Sequence, residues 1–384
     1  MSVTFFTTSA SVTLFGLIAL RPPRPRHSSP WKLSFALGYL INEQPFLALY
    51  WLAAGTLPTL IGVTTGSAAW WAAAGVVAVP VAVLTALAVR ARTARPVLDA
   101  ALRDAIGPPR PPARRFRLPI VRILFLPFVS YRFDVRRIRN VPYGDDGRGR
   151  LLDLYVSRPA PQGAPVLIYL HGGGFRKGHK MLGARALLHR MAAQGWVCVS
   201  ANYRLRRRAR YADQLLDVKR VIHWVREHGA AYGADASTLL LTGSSSGAHL
   251  AATAALTAND PRLQPGLPAG ADTSVDAVVA FYGYYGTADT DSRVTASPLA
   301  HLHADAPPFL IVHGALDTLV LADDARHFAN ELAQRSTQPV AYAELPGTQH
   351  DFDLFQSLRT HSVVEAVERF AAWTRSRRQA PTQE

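Results

Sequence analysis

The sequence predicts an α/β fold, a mostly parallel sheet flanked by helices and preceded by an α-helical transmembrane hairpin. Three observations carry that prediction. From about Tyr131 onward, short apolar runs alternate with amphipathic stretches, the pattern of a sheet covered by helices on both faces. One of those runs, Leu239 to Thr242, meets a helix-forming stretch through Gly243-Ser244-Ser245-Ser246-Gly247, which fits the turn G-x-S-x-G. Ahead of all this lie two stretches, 45–63 and 67–89, that contain no charged residue and are each long enough to cross about 30 Å of hydrocarbon.

A chain of 384 residues has room for one large catalytic domain and about one further module, with a core that needs no disulfides. The only cysteine, Cys198, sits in the apolar run Trp196-Val197-Cys198-Val199 and reads as strand core. The net charge of +15 is carried mostly by arginine, and between Arg90 and Arg150 fifteen arginines face five acids. Placed directly after the most apolar part of the chain, that charge points to an anionic membrane surface. Nucleic acid is disfavoured, since no stacking or zinc motif accompanies it.

Residues 1–89 form the expected membrane region. No positive charge precedes the apolar stretch 4–20, and Arg21, Arg24 and Arg26 follow it; a cleaved secretory signal has the opposite order. That stretch is either a further span or an interfacial helix. The hairpin turns through Thr64-Thr65-Gly66. Tyr50, Trp51, Trp70 and Trp71 suit an interface or helix packing, and membrane helices tolerate Pro58 and Pro80. Two buried soluble helices, forming a lid, are the alternative, but such helices usually keep a polar stripe that these lack. Arg21, Arg24, Arg26 and Lys32 before the hairpin, and Arg90, Arg92 and Arg95 after it, place both ends in the cytoplasm. Residues 90–130 read as a basic, proline-rich connector. It contains the stiff segment Pro108-Pro109-Arg110-Pro111-Pro112. The stretch from Phe116 to Phe128, where arginine mixes with large apolar residues, is either interfacial or docked on the catalytic domain.

Residues 131–384 form the expected catalytic domain. An opening hairpin, Arg132 to Arg139 and Leu151 to Val156, is joined through Gly144-Asp145-Asp146-Gly147. Strands follow at Val166 to Leu170, Val197 to Ala201, Leu239 to Thr242, Ala277 to Phe281, Phe309 to Val312 and Val340 to Glu344. Helices are expected near Gly183 to Ala193, Ala212 to His228, Ala248 to Thr257, Ala322 to Gln334 and Ser362 to Trp373. In such a sheet, ligands belong at the carboxyl ends of the strands.

The chemically capable residues fall at those ends. Ser245 is the candidate nucleophile, although serine in a glycine turn also caps helices. His171-Gly172-Gly173-Gly174-Phe175 follows a buried strand and offers backbone N–H groups with no side chains in the way, as an oxyanion hole requires. Asp317 lies just past one strand and His350 just past the last. The order Ser245, Asp317, His350 is that of strand-end triads.

Several motifs together resemble the α/β-hydrolases of the hormone-sensitive-lipase-like and related carboxylesterase group. They are His171 to Phe175, Tyr203-Arg204-Leu205, the run Asp217 to Gly233, the turn around Ser245, Ser297-Pro298-Leu299, Pro307 to Gly314 and Gly347-Thr348-Gln349-His350. Members commonly carry Gly-Asp-Ser-Ala-Gly at the nucleophile; here Ser244 stands in place of the acid and Ser246 in place of the alanine. Relatives more often carry a soluble cap than a membrane hairpin.

The resemblance implies a serine hydrolase that cleaves carboxylic esters through an acyl-enzyme. Ser245, Asp317 and His350 would be catalytic, and the Gly173, Gly174 and Ser246 N–H groups would hold the oxyanion. Phe175, Tyr203, Tyr282, Tyr284 and Tyr285 are candidate pocket residues. Substrates would be small-molecule or lipid esters, and membrane lipids the other partner. No metal or organic cofactor is implied: His and acid residues lack ligand spacing, and Gly172 to Gly174 do not open a dinucleotide-binding unit. Deacetylation or amide hydrolysis on the same triad, and a non-catalytic binding protein on a hydrolase scaffold, are the other readings.

Overall fold

The strands expected from the apolar runs assemble into one eight-stranded sheet. A computed structural model describes residues 1–23, 30–108, 118–145, 147–206, 209–288 and 295–379. Arg24, Arg26, Pro109 to Pro112, Phe116, Arg117 and Asp146 lie outside the described residues. The strands are β1 (Val135–Pro142), β2 (Leu151–Ser157), β3 (Ala164–Leu170), β4 (Val197–Ala201), β5 (Ala234–Ser244), β6 (Ala277–Phe281), β7 (Phe309–Gly314) and β8 (Val340–Leu345). Their order across the sheet is β1-β2-β4-β3-β5-β6-β7-β8. Only β2 runs against the others.

Strands β3, β4 and β6 are buried at every position and consist mostly of apolar residues, because both faces of the sheet are covered. Val166, Ile168 and Leu170 of β3 enter one core, with Leu239 and Leu241 of β5. Leu167, Tyr169 and Leu240 enter the other. Helices α8 (Tyr211–His228), α9 (Ser246–Leu256) and α10 (Ala322–Arg335) close the first face through Val218, Leu250 and Phe328. On the second face lie α7 (Arg185–Ala193) and α11 (Leu358–Gln379), through Leu188, Met191, Val367 and Phe370.

The N-terminal region holds α1 (Val3–Leu20), α2 (Pro30–Glu43), α3 (Pro45–Gly62) and α4 (Ala68–Ala91). Helix α2 was not expected from the sequence. Helices α1, α3 and α4 are long and apolar enough to cross a membrane. They pack around Val12, Leu52, Leu84 and Leu87. Small residues let the backbones approach, as in membrane bundles: a Cβ on Gly55 would sit 2.5 Å from Thr8 Oγ1, and one on Gly16 would overlap Val83. Their outer faces are apolar too, with Ile61 80% and Trp71 64% exposed. That is the reverse of a soluble helix.

The connector reading needs correction at residues 94–106. They form α5 (Ala94–Ile106), whose Ala94, Leu98 and Leu102 are buried in the second core. Spacing of four residues puts these on one face, and on its other sides Arg95 reaches Glu365 at 2.6 Å while Asp99 pairs with Arg369. The high arginine density hid a short amphipathic stripe. A short helix, α6 (Ile120–Phe125), follows. It packs as a helix where a docked strand was one option, with Tyr50 stacked on Phe125 at 5.9 Å and Ile120, Val121 and Phe125 exposed.

If α5 belongs to the core, Leu98→Ala should lower the stability of the folded chain by about 2–5 kcal/mol. Denaturant unfolding followed by tryptophan fluorescence measures this. A loss under about 0.5 kcal/mol would make α5 a tether.

Candidate active site

Ser245 sits between β5 and α9 with φ 52° and ψ −119°, a strained conformation for a residue with a side chain. The turn holds it there. The Ser245 N–H donates to Phe281 O at 2.9 Å, and Ser245 O accepts from His249 N at 3.1 Å. A Cβ on Gly243 would overlap Gly247, and one on Gly247 would overlap the carbonyls of Leu170 and His171. The two glycines therefore allow the turn to close beneath β3.

The structure brings Ser245, His350 and Asp317 together. His350 Nε2 lies 3.0 Å from Ser245 Oγ, and His350 Nδ1 lies 2.6 Å from Asp317 Oδ2. Asp317 Oδ1 accepts from the Leu319 and Val320 N–H groups, each at 2.8 Å, which fixes the carboxylate. His313 Nε2 stands 3.3 Å from Asp317 Oδ2. Burial would raise the Asp317 pKa, but the His350 charge and the hydrogen bonds from His313 and His350 prevail and hold it well below the usual carboxylate range. Burial likewise pushes His350 down; the Asp317 charge and hydrogen bond outweigh it, with Asp351 and Asp353 adding, and carry the imidazole up to about 9.

The glycine run lies against this turn. A Cβ on Gly172 would stand 3.1 Å from Ser245 Cβ. Gly173, Gly174 and Phe175 have φ of 128°, 61° and 64°, and Gly173 O accepts from Lys177 N at 3.1 Å. Positive φ at the two glycines carries no steric cost, and a turn that presents consecutive backbone N–H groups makes an anion-binding concavity. Ser246 opens α9, adding the positive end of a helix dipole. His171 holds the loop: its Nδ1 pairs with Gly172 O at 2.8 Å, its ring stacks on Tyr203 at 4.4 Å, and burial lowers its pKa to about 4, so it is neutral.

The expected pocket residues divide. Tyr203, Tyr282 and Tyr285 are 2%, 1% and 0% exposed and do not form an open pocket wall. Tyr203 donates to His171 O at 2.8 Å, so it buttresses the glycine loop. Tyr285 stacks on Phe328 at 4.2 Å. Tyr282 lies 4.4 Å from the His350 ring and gives its hydroxyl to Asp353. Strand-end position alone does not separate an aromatic that faces the cleft from one that supports it. Phe175 packs edge-on against His249 at 5.3 Å, and Tyr284 is half-buried.

Asp353 was missed. Its Oδ2 accepts from Ala184 N at 2.7 Å and from Ser244 Oγ at 3.3 Å, and Tyr169 OH lies 3.1 Å from Ser244 Oγ. The carboxylate absent from position 244 thus stands across from it, on the loop after His350. Burial, reinforced by Asp351, raises the Asp353 pKa to about 6. The only trace in the sequence is the pair of acids, Asp351 and Asp353, directly after His350.

A BD-FAE family model matches residues 152–295. The probable carboxylic ester hydrolase LipM of Mycobacterium tuberculosis is 42% identical over 261 residues, 61% of this chain and 60% of that protein. The esterase LipQ of the same organism is 38% identical over 320 residues, 73% of this chain and 75% of LipQ. The chain belongs to the hormone-sensitive-lipase-like carboxylesterase family. Among solved structures, the apo form of Thermogutta terrifontis esterase 2 is 25% identical with a TM-score of 0.52 and covers 61% of this chain and 93% of its own. The same esterase phosphonylated by cyclosarin is 25% identical, with a TM-score of 0.53, and covers 61% and 92%. These neighbours share the α/β-hydrolase fold. The chain spans less than two thirds of LipM.

A protonated imidazole cannot take a proton from Ser245, so activity should be lost as pH falls through the His350 pKa. The ascending limb of kcat/KM for a short acyl ester should therefore lie above 6.5, near 9. Asp351→Asn removes a charge that favours the imidazolium and should move the limb to lower pH. A limb at or below 6.5 in the unaltered protein would contradict this electrostatic description.

Proposed function

We propose that this protein is a membrane-anchored serine esterase, with Ser245 as nucleophile, His350 as general base and acid, and Asp317 orienting and charging the imidazole. The observation that carries the reading is the continuous hydrogen-bonded path from Ser245 Oγ through His350 to Asp317 at 3.0 and 2.6 Å, beside the loop of Gly173 and Gly174.

In the acylation step, Ser245 Oγ attacks the ester carbonyl carbon and its proton passes to His350 Nε2. The carbonyl oxygen, now negative, accepts from the Gly173, Gly174 and Ser246 N–H groups. His350 returns the proton to the leaving alkoxide as the carbon–oxygen bond breaks, which leaves an ester on Ser245. Water then gives a proton to His350 and attacks the acyl carbon, and the collapse frees the acid and restores the serine hydroxyl.

The membrane reading rests on α1, α3 and α4. Helix α1 lies lengthwise along the other two, since Ser2 Oγ is 3.5 Å from Thr59 Oγ1 and Leu20 O accepts from Arg90 at 2.7 Å. This favours a third span over an interfacial helix. With arginines at the ends nearest the catalytic body, the positive-inside rule puts that body in the cytoplasm and the N-terminus across the bilayer. The helices dock at Gly347, just past β8, on the strand rim that also bears Ser245 and His350. Esters with apolar acyl groups, delivered from the bilayer, fit that placement.

Serine esterases are labelled by phosphonylating reagents, as the phosphonylated T. terrifontis esterase 2 illustrates. A fluorophosphonate probe should label this protein in the membrane fraction. Ser245→Ala should abolish labelling and lower kcat on a p-nitrophenyl acyl ester by up to about a million-fold with the fold intact. Retained turnover in Ser245→Ala would refute the nucleophile; labelled protein in the soluble fraction would refute the anchor.

A further inference from the structure

We infer that the polar end of α2 is a positioning element for His350, so that the assembled N-terminal helices complete the active site as well as anchoring it. The inference rests on the triad proposed above.

The loop between β8 and α11 must hold the imidazole within reach of Ser245, and displacements of about 1 Å in such geometries cost roughly a hundredfold in rate. Three residues before His350, the Gly347 carbonyl accepts from Asn42 Nδ2 at 3.1 Å and from Arg359 Nη2 at 3.1 Å. Arg359 Nη1 donates to Asn42 O and to Glu43 Oε1, each at 2.9 Å. At the other end of the loop, Ser357 Oγ donates to Glu43 Oε2 at 3.1 Å, and Gln44 Nε2 donates to Gln356 O at 3.2 Å. Successive residues of one helix end thus grip both ends of the loop. Arg90 of α4 closes the set, donating to Asn42 Oδ1 at 3.0 Å and to the carbonyls of Ala19 and Leu20 at the end of α1.

A tether does not need this. Asn42, Glu43, Gln44 and Arg359 are 0%, 3%, 1% and 0% exposed, and taking an ion pair out of water costs several kcal/mol per ion before the pairing offsets it. Well-packed apolar residues would join two bodies at less cost. What the buried polar set adds is direction: each donor has one acceptor on the loop, so the loop has one position. Gly347 has φ of 63°, and a Cβ there would overlap the Arg90 side chain, so Arg90 also packs directly on the loop.

The test uses the full chain in phospholipid vesicles, with fluorophosphonate titration counting competent sites and turnover of a water-soluble short acyl ester expressed per titrated site. Asn42→Asp and Gln44→Glu keep side-chain shape and remove the donors to Gly347 and Gln356. Each should lower kcat per site at least tenfold with KM within twofold. Ser357→Ala, which leaves the Arg359–Glu43 pair in place, is the milder arm, with about a threefold fall. Leu52→Ala loosens the bundle away from the loop and should lower the melting temperature with kcat per site unchanged. All loop-gripping variants within twofold of the unaltered protein would overturn the inference, as would an equal loss in Leu52→Ala. Absence of labelling in the unaltered protein would instead overturn the triad.

Discussion

Everything at the candidate site depends on one short hydrogen-bonded path that crosses three strand ends. Ser245 comes from the turn after β5, Asp317 from the turn after β7 and His350 from the loop after β8, and the pairs that touch are 105 and 33 residues apart in sequence. No local preference brings such groups together. The parallel sheet does, because its register aligns the carboxyl ends of β5, β6, β7 and β8 along one rim. The strained φ at Ser245, the glycines at 243 and 247 and the paired N–H donors on Asp317 are the local conditions for closing that path.

The surroundings of the path are unusually acidic for so buried a place. Asp317, Asp351 and Asp353 all favour a charged His350, and Asp353 is tied to Ser244, Tyr282 and Ala184. One carboxylate therefore links the nucleophile turn, the end of β6, the start of α7 and the histidine loop. Where relatives commonly place the acid beside the nucleophile, here a serine receives it from across the cleft.

Much of this was legible in the residues. Strand positions followed from uninterrupted apolar runs bounded by glycine, proline or polar clusters, and Val197–Ala201 and Ala277–Phe281 coincide with the observed strands. The three long apolar helices followed from the absence of charge. What was not legible shares a cause: its meaning lies in contacts between distant segments. Leu98 and Leu102 make a stripe too short to stand out among arginines. Asn42-Glu43-Gln44 carries no signal in the sequence, and acquires a meaning only once Arg359 and Gly347 are placed beside it. Tyr203 and Tyr285 sit near strand ends yet face inward, a distinction that depends on which side of the rim each ring turns toward. The proposed orientation of the apolar helices follows from charge placement, part of which lies at Arg24 and Arg26.

The central claim is a geometric one, that the Ser245 hydroxyl, activated by His350, faces an anion cradle made of backbone N–H groups. The most direct measurement is an experimental structure of the full chain after reaction with a fluorophosphonate. The account predicts a bond from phosphorus to Ser245 Oγ, with the phosphonyl oxygen about 2.7–3.1 Å from the backbone nitrogens of Gly174 and Ser246. Modification at another residue, or a phosphonyl oxygen turned away from the glycine loop, would contradict it.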